Sequence, residues 1–139
     1  MENLTTFMLC DTIESKINGT SVIPSIIAPQ LVLRPLFVPS AISFAIVLGI
    51  SNMNLTEQNK IIVKIKNPDD ELIQEIVNDN LPPAPNDPNL PSNYAGCIMC
   101  VDIRNLVVKV EGAYPVEVYV NDNKIGDTVI PVFKRQSQE

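Results

Sequence analysis

The sequence of 139 residues contains no histidine and no tryptophan, and it has only 5 glycines. Without histidine, the usual Ser-His-Asp and Cys-His arrangements that activate a nucleophile cannot form. The few glycines form neither a GxGxxG fingerprint nor a P-loop, so there is no Gly-rich cradle for a nucleotide phosphate. These absences predict a protein that is not an enzyme and that carries no cofactor.

Basic residues are also scarce, since 10 Lys and Arg stand against 16 Asp and Glu, for a net charge of -6. An acidic surface repels phosphate backbones and anionic lipid, so we expect no nucleic-acid partner and no membrane-surface binding. The first residues lack the basic and apolar regions of a secretory signal. Prolines interrupt the weakly charged stretch 17–56 too often for a membrane helix. The expected location is the cytoplasm.

Cysteine is rare, but two of the 3 cysteines, Cys97 and Cys100, form a CxxC pair. A structural zinc site usually needs two such pairs, or one pair and two histidines, and neither is present. The residues after Cys100 have a strand pattern, whereas a redox CxxC opens a helix that stabilises a thiolate. On a strand, positions three apart point to opposite faces. We therefore predict that the pair packs in the core and binds no metal; zinc or dithiol chemistry is the alternative.

What the sequence does contain is the two-residue period of β-strands. The segments KIIVKIK (60–66) and VEVYV (116–120) alternate apolar and polar residues. The apolar run ISFAIVLGI (42–50) is typical of a central strand that is covered on both faces. We expect the alternating apolar positions to lie in the core: Ile61, Val63, Ile65, Val116, Val118 and Val120.

Turn signals separate these strands. Asn18-Gly19 suits a two-residue hairpin turn, NPDDE (67–71) suits a β-turn, and VNDNKIG (120–126) suits a hairpin loop. Only residues 70–78 offer a possible short helix. The pattern predicts an all-β protein with a single domain over 1–139, an antiparallel β-sandwich that is immunoglobulin-like or C2-like.

Residues 78–96 form the clearest break in the strand pattern, because proline recurs there at every third position. A polyproline II helix has three residues per turn, so these rings would line one edge of an extended rod. The favoured interpretation is a crossover loop between the sheets, since the basic residue that usually orients a Pro-rich ligand is absent. The alternative is a ligand strip for an aromatic-lined groove. Its partner-binding residues would be Pro82, Pro85, Pro88, Pro91 and Tyr94.

A second unusual feature is the stretch between Lys16 and Glu57, in which Arg34 is the only charged residue. Some of its apolar side chains would remain on the surface of a monomer and form a patch larger than soluble monomers usually expose. A twofold dimer would bury such a patch. The alternative is that the segment folds back as a covering loop. The candidate self-association residues are Leu31, Leu33, Leu36 and Phe37.

Five short segments in order carry a family resemblance: LCD (9–11), SFAI (43–46), NPDDEL (67–72), EGAYPVEVYVND (111–122) and KIGDTVIPV (124–132). Their order resembles a group of uncharacterised small bacterial and phage proteins that share a domain of unknown function. The resemblance implies a β-sandwich and implies no activity.

Two functional hypotheses follow from these patterns. In the first, the protein is a small intracellular module whose Pro-rich loop or exposed strand edge binds another protein. In the second, it is a self-assembling structural component of a phage or mobile element. The partner is unknown in either case.

Overall fold

The computed structural model describes residues 2–19 and 21–135, which contain eight β-strands and no α-helix. A single 3-10 turn lies at Ser92–Tyr94. The strands are β1 (Asn3–Asn18), β2 (Ser21–Gln30), β3 (Ser40–Ser51), β4 (Ile61–Lys66), β5 (Leu72–Asn78), β6 (Gly96–Val108), β7 (Gly112–Val120) and β8 (Asn123–Val132).

These strands form two antiparallel sheets of four strands each. The first sheet has the order β2-β1-β3-β6 and the second has the order β5-β4-β7-β8. Side chains from both sheets share one buried hydrophobic cluster, so the prediction of an antiparallel β-sandwich is confirmed. The possible helix at 70–78 is instead strand β5, because its β-branched residues Ile73, Ile76 and Val77 lie on a ladder with β4.

The core contains the side chains that the alternating pattern predicted. All six predicted core residues of β4 and β7 are fully inaccessible to solvent. Strand β3 lies between β1 and β6, and its residues 44–50 are buried on both faces. Its outward residues Ala45 and Val47 pack with Cys10 in a second, smaller cluster. The prediction of a central strand covered on both sides is therefore confirmed.

Two hairpin turns lie where the sequence predicts them, and a third is shifted by one residue. Asn67 caps the β4–β5 turn, because its side-chain oxygen accepts hydrogen bonds from the amides of Asp69 and Glu71. The β7–β8 turn uses Asn121 and Asp122, with φ angles of 50° and 69°, as a two-residue type I′ turn requires. The β1–β2 turn begins one residue later than predicted, after Asn18, with Gly19 at a φ of 66°.

Tyr114 at the start of β7 joins the core to the preceding loop. Its ring is buried, with 1% of its surface exposed, and its hydroxyl donates a hydrogen bond to the carbonyl of Val110 at 2.5 Å. A tyrosine that bonds back to the backbone a few residues upstream recurs in β-sandwiches, where it fixes a corner between strands.

The segment between β2 and β3 joins the two sheets. The amide of Leu33 donates to the carbonyl of Pro131 at 2.9 Å, and the amide of Phe133 donates to the carbonyl of Leu33 at 3.0 Å. The amide of Arg135 donates to the carbonyl of Pro35 at 2.9 Å. This segment therefore covers the end of the edge strand β8, and the Leu33 side chain lies in the core.

The outer face of the second sheet carries a chain of ion pairs centred on Glu117. Its two carboxylate oxygens lie 3.0 Å from Lys66 Nζ and 3.1 Å from Lys124 Nζ. Lys124 also contacts Asp127 at 3.0 Å. Hydrogen bonds from Lys66 and then from Lys124 lower the pKa of the Glu117 carboxyl.

Replacing Glu117 with glutamine is expected to reduce the free energy of unfolding by about 1 kcal/mol near neutral pH, because both ion pairs are lost. A carboxyl whose pKa is lowered in the folded state stabilises the protein above its unfolded pKa of about 4.3 and loses that contribution as the pH falls through the folded pKa. Urea unfolding as a function of pH measures this. A difference from wild type that persists in strong acid would contradict it. Glu111→Gln is the matched control, since Glu111 is exposed and makes no ion pair among the described residues.

Candidate functional site

A groove of about 630 Å³ lies between the Pro-rich loop and the outer face of the first sheet. Its floor is a row of three residues directly opposite one another on β1, β3 and β6, namely Thr6, Gly49 and Ile98. Because Gly49 has no side chain, nothing projects into the groove from the centre of this row. The apolar walls come from Leu55, Pro85, Pro88, Leu90 and Tyr94.

The loop that forms one wall is fixed at both ends by backbone hydrogen bonds. The amide of Ala84 donates to the carbonyl of Leu55 at 2.7 Å, and the amide of Met53 donates to the carbonyl of Ala95 at 2.9 Å. Gly96 then begins β6, and a Cβ atom there would lie 2.8 Å from Ser51 Cα and would clash with the Ile50 carbonyl. The close approach of Gly96 to β3 therefore fixes where the loop leaves the groove.

The loop does not form one straight polyproline rod. Asp87 and Pro88 occupy the first two positions of a β-turn, in which the amide of Leu90 donates to the Asp87 carbonyl at 3.2 Å. The Asp87 side chain also accepts a hydrogen bond from the amide of Asn89 at 2.8 Å. Aspartate followed by proline favours this turn, and it interrupts the three-residue repeat that the sequence suggested.

The partner-binding candidates consequently divide into two groups. Pro85, Pro88 and Tyr94 line the groove, whereas Pro82 and Pro91 lie outside its lining. All five side chains are exposed. The loop connects β5 of the second sheet to β6 of the first, so the same residues that cross between the sheets also form a wall of the groove.

Ile98 is a groove residue that sequence reasoning missed. Its side chain is 70% exposed and that of Tyr94 is 67% exposed, and both residues line the same groove. The signal was present in the alternation of β6, because its neighbours Met99 and Val101 are buried on the opposite face. The sequence signal for Ile98 is therefore an apolar residue at an outward position of a strand.

Strand β6 also lies at the edge of its sheet, and within the described residues it pairs only with β3. An unpaired edge presents backbone donors and acceptors to any extended chain beside it. At the opposite edge of this sheet, β2 contains Pro24 and Pro29, which obstruct such pairing. Strand β6 contains no proline, and its first charged residue is Asp102.

The two cysteines of the CxxC pair point to opposite faces of β6, as predicted, but only one of them is sheltered. Cys97 is half-buried, with Sγ 3.6 Å from Met53 Sδ. Cys100 is exposed, so core packing was the wrong prediction for it, because its side chain lies on the outer face of this edge strand, opposite to the buried residues Met99 and Val101.

The thiols are not activated. Burial raises the pKa of Cys97, and burial followed by the nearby Asp102 raises the pKa of Cys100. Burial is also the main cause that raises the pKa of Cys10. A raised pKa keeps a thiol protonated and weakly nucleophilic. Within residues 2–19 and 21–135, no three His, Cys, Asp or Glu side chains are grouped to hold a metal ion.

Comparison with known proteins gives a family, but no activity. The family of unknown function DUF6941 matches residues 5–133. The chain belongs to the DUF6941 family. The resemblance to an uncharacterised β-sandwich group is thereby confirmed. No curated protein matches the chain.

Among solved structures, the chain is similar to an immunoglobulin-like protein from Pseudomonas aeruginosa. The two share 10% identity, with a TM-score of 0.40, over 96% of this chain and 97% of the other. No helix in the described part of the chain has the length and apolar character needed to cross a membrane.

A second candidate surface is the hairpin arm, which we define as residues 11–18 of β1 and 21–28 of β2. Strand β1 pairs with β3 only as far as Cys10, opposite Ala45. Beyond that point β1 pairs only with β2 among the described residues. Eight residues of extended chain span roughly 25 Å. The arm is therefore a two-stranded ribbon that is not paired with β3. Its first residues stay beside the sandwich, where Ile13 packs against the smaller cluster.

Of the four self-association candidates, three are on the surface. Leu31, Leu36 and Phe37 are exposed, whereas Leu33 is buried in the core. Leu33 was therefore a wrong choice, because its backbone bonds to Pro131 and Phe133 hold its side chain between the sheets. Further apolar side chains are exposed on the arm, namely Ile17, Ile23 and Ile26.

Proposed function

We propose that this DUF6941 protein is a non-catalytic protein-binding module that holds an extended, apolar segment of a partner in the groove beside Ile98 and Tyr94. The observation that carries this proposal is the position of an apolar groove next to an unpaired edge strand. Side chains of the bound segment contact Leu90, Tyr94 and Ile98, while its backbone pairs with β6. Strand addition of this kind combines main-chain affinity with side-chain selectivity.

The charge around the groove favours a basic partner segment. Asp87 is the one charged residue among those that line the groove in the described part of the chain. The whole chain has a net charge of -6. Like charges across an interface are unfavourable and opposite charges increase the rate of encounter, so lysine or arginine beside the apolar positions of the partner improves binding.

The proposal includes a cytoplasmic location. The three cysteines are free, and unpaired thiols persist in reducing compartments.

The binding proposal is tested by selecting random short peptides displayed on phage against the immobilised full chain. We expect enriched peptides that lack proline, alternate apolar residues and carry a basic residue. Their affinity, measured by calorimetry, should fall at least about tenfold with Ile98→Asp, because a charge enters the apolar contact. Val129→Asp is the matched control, since Val129 is an exposed apolar residue of β8 outside the groove lining. Equal loss in both variants, or no enrichment at all, would contradict the proposal.

A second candidate function is that of a self-assembling structural component, such as a part of a phage or mobile element. The observation that favours it is the exposure of several apolar side chains on the arm and at its base, including Ile17, Ile26 and Leu31. A two-stranded hairpin is only marginally stable in water without further strands or a packed face. Another copy of the chain can supply the missing strands.

A further inference from the structure

The hairpin arm has two edges, and they differ in their ability to pair. The edge formed by β2 contains Pro24 and Pro29, and proline removes a backbone donor from a strand edge. The other edge is β1 itself, residues 11–18, from which β3 has separated after Cys10. This segment, DTIESKIN, contains no proline. The unpaired edge of the arm that can accept another strand is therefore that of β1.

The charges on this edge are complementary to themselves. Glu14 and Lys16 are exposed, lie two positions apart and so share one face of the strand. Neither makes an ion pair among the described residues. If two copies of β1 run antiparallel about a twofold axis at Ser15, Glu14 of each copy lies directly opposite Lys16 of the other. Opposite charges at directly opposed positions stabilise an antiparallel pair.

The apolar residues of the arm match in the same register. Ile13 of each copy lies opposite Ile17 of the other, on the face that also carries Ile26, the direct partner of Ile13 on β2. Ile17 is 81% exposed and Ile26 is 39% exposed. The same alignment therefore pairs opposite charges on one face of β1 and isoleucines on the other face. The two arms together form a four-stranded sheet with the order β2-β1-β1-β2. Three or more strands with an apolar face are what a hairpin needs for stability.

We propose that the arm is a dimerisation element, and that two copies of this chain pair their β1 strands antiparallel about Ser15. The occupant of the unpaired edge is a second copy, because the charge pattern and the apolar pattern of residues 13–17 are each self-complementary around that residue. This inference rests on the second candidate function, self-assembly, and it identifies the surface and register.

Analytical ultracentrifugation of the full chain across the micromolar range tests the pairing. Wild type should be a dimer. Glu14→Lys places lysine opposite lysine twice and should weaken the dimer at least about tenfold, and Lys16→Glu should do the same. The double variant Glu14→Lys with Lys16→Glu restores opposite charges and should recover the dimer. Glu57→Lys is the control for net charge, since Glu57 is an exposed loop residue away from the arm.

The register is tested by cysteine crosslinking in a Cys100→Ser background, which removes the exposed native thiol. Ser15→Cys should form a disulfide between copies under mild oxidation, whereas Ser25→Cys on β2 should not. A wild-type monomer throughout the range would overturn both the arm pairing and self-assembly. The arm pairing would be overturned if neither charge reversal weakened the dimer. It would also be overturned if Ser25→Cys formed the disulfide as readily as Ser15→Cys. In both cases self-assembly would take place through another surface.

Discussion

Leu33→Asp is expected to lower the free energy of unfolding by at least about 4 kcal/mol, because it places a carboxylate in the shared core without a cationic partner. Leu33 is 5% exposed, and its backbone is bonded on both sides to the C-terminal end of β8. The side chain therefore cannot turn outward without breaking the connection between the sheets. Thermal and urea unfolding, followed by circular dichroism, measure the loss.

Leu36→Asp is the matched control for this substitution. Leu36 is three residues further along the same segment and is 66% exposed, so its replacement should change stability by no more than about 0.5 kcal/mol. If the two variants were equally stable, the placement of Leu33 between the sheets would be wrong.

Tyr114→Ala should cost about 4 kcal/mol, which is typical of removing a buried aromatic side chain. The ring is almost fully buried in the cluster that both sheets share. Its hydroxyl also holds the carbonyl of Val110 through the hydrogen bond at the start of β7. The substitution removes both the packing and the bond, and it leaves a cavity that the surrounding strands cannot close.

Tyr114→Phe separates these two contributions. It keeps the ring and removes only the hydroxyl, so we expect a loss of about 1 kcal/mol, the usual net value of one hydrogen bond. Denaturant unfolding of wild type and both variants provides the comparison. Equal losses in the phenylalanine and alanine variants would show that the hydrogen bond, and not the buried ring, carries the stabilisation.

The sandwich could be predicted from the sequence because its strands have a strict two-residue period. In β4 and β7, a shift of one residue would move all six predicted core residues to the outer face of the sheet. The pairing of buried faces is therefore specified locally. The hairpins could be predicted for a similar reason, since pairs such as Asn121-Asp122 accept the positive φ angles that tight turns require.

The surface sites could be predicted only in part. The sequence identified the Pro-rich loop and Tyr94, but the side of the sheet on which that loop lies depends on distant hydrogen bonds such as that between Ala84 and Leu55. Apolar composition alone does not distinguish Leu31 from Leu33, because the contact of Leu33 with the end of β8 joins residues that are far apart in sequence. Cys100 was misplaced for a related reason, since the edge position of β6 follows from sheet order.

The hairpin arm also could not be predicted from the sequence. Residues 11–18 have the composition of an ordinary strand, and nothing in them indicates that β3 pairs with β1 only as far as Cys10. The separation appears only when the registers of β1–β2 and β1–β3 are compared. Only when this separation is known can Glu14 and Lys16 be recognised as charged residues on an unpaired strand edge.

The most direct test of the binding proposal is chemical-shift mapping of the isotope-labelled full chain during titration with a peptide selected from the display library. The proposal predicts that the perturbed amides cluster at Gly49, Leu90, Tyr94 and Ile98 and continue along the edge of β6, while those of β8 remain unchanged. Perturbations confined to the outer face of the second sheet, around Lys66 and Glu117, would contradict it.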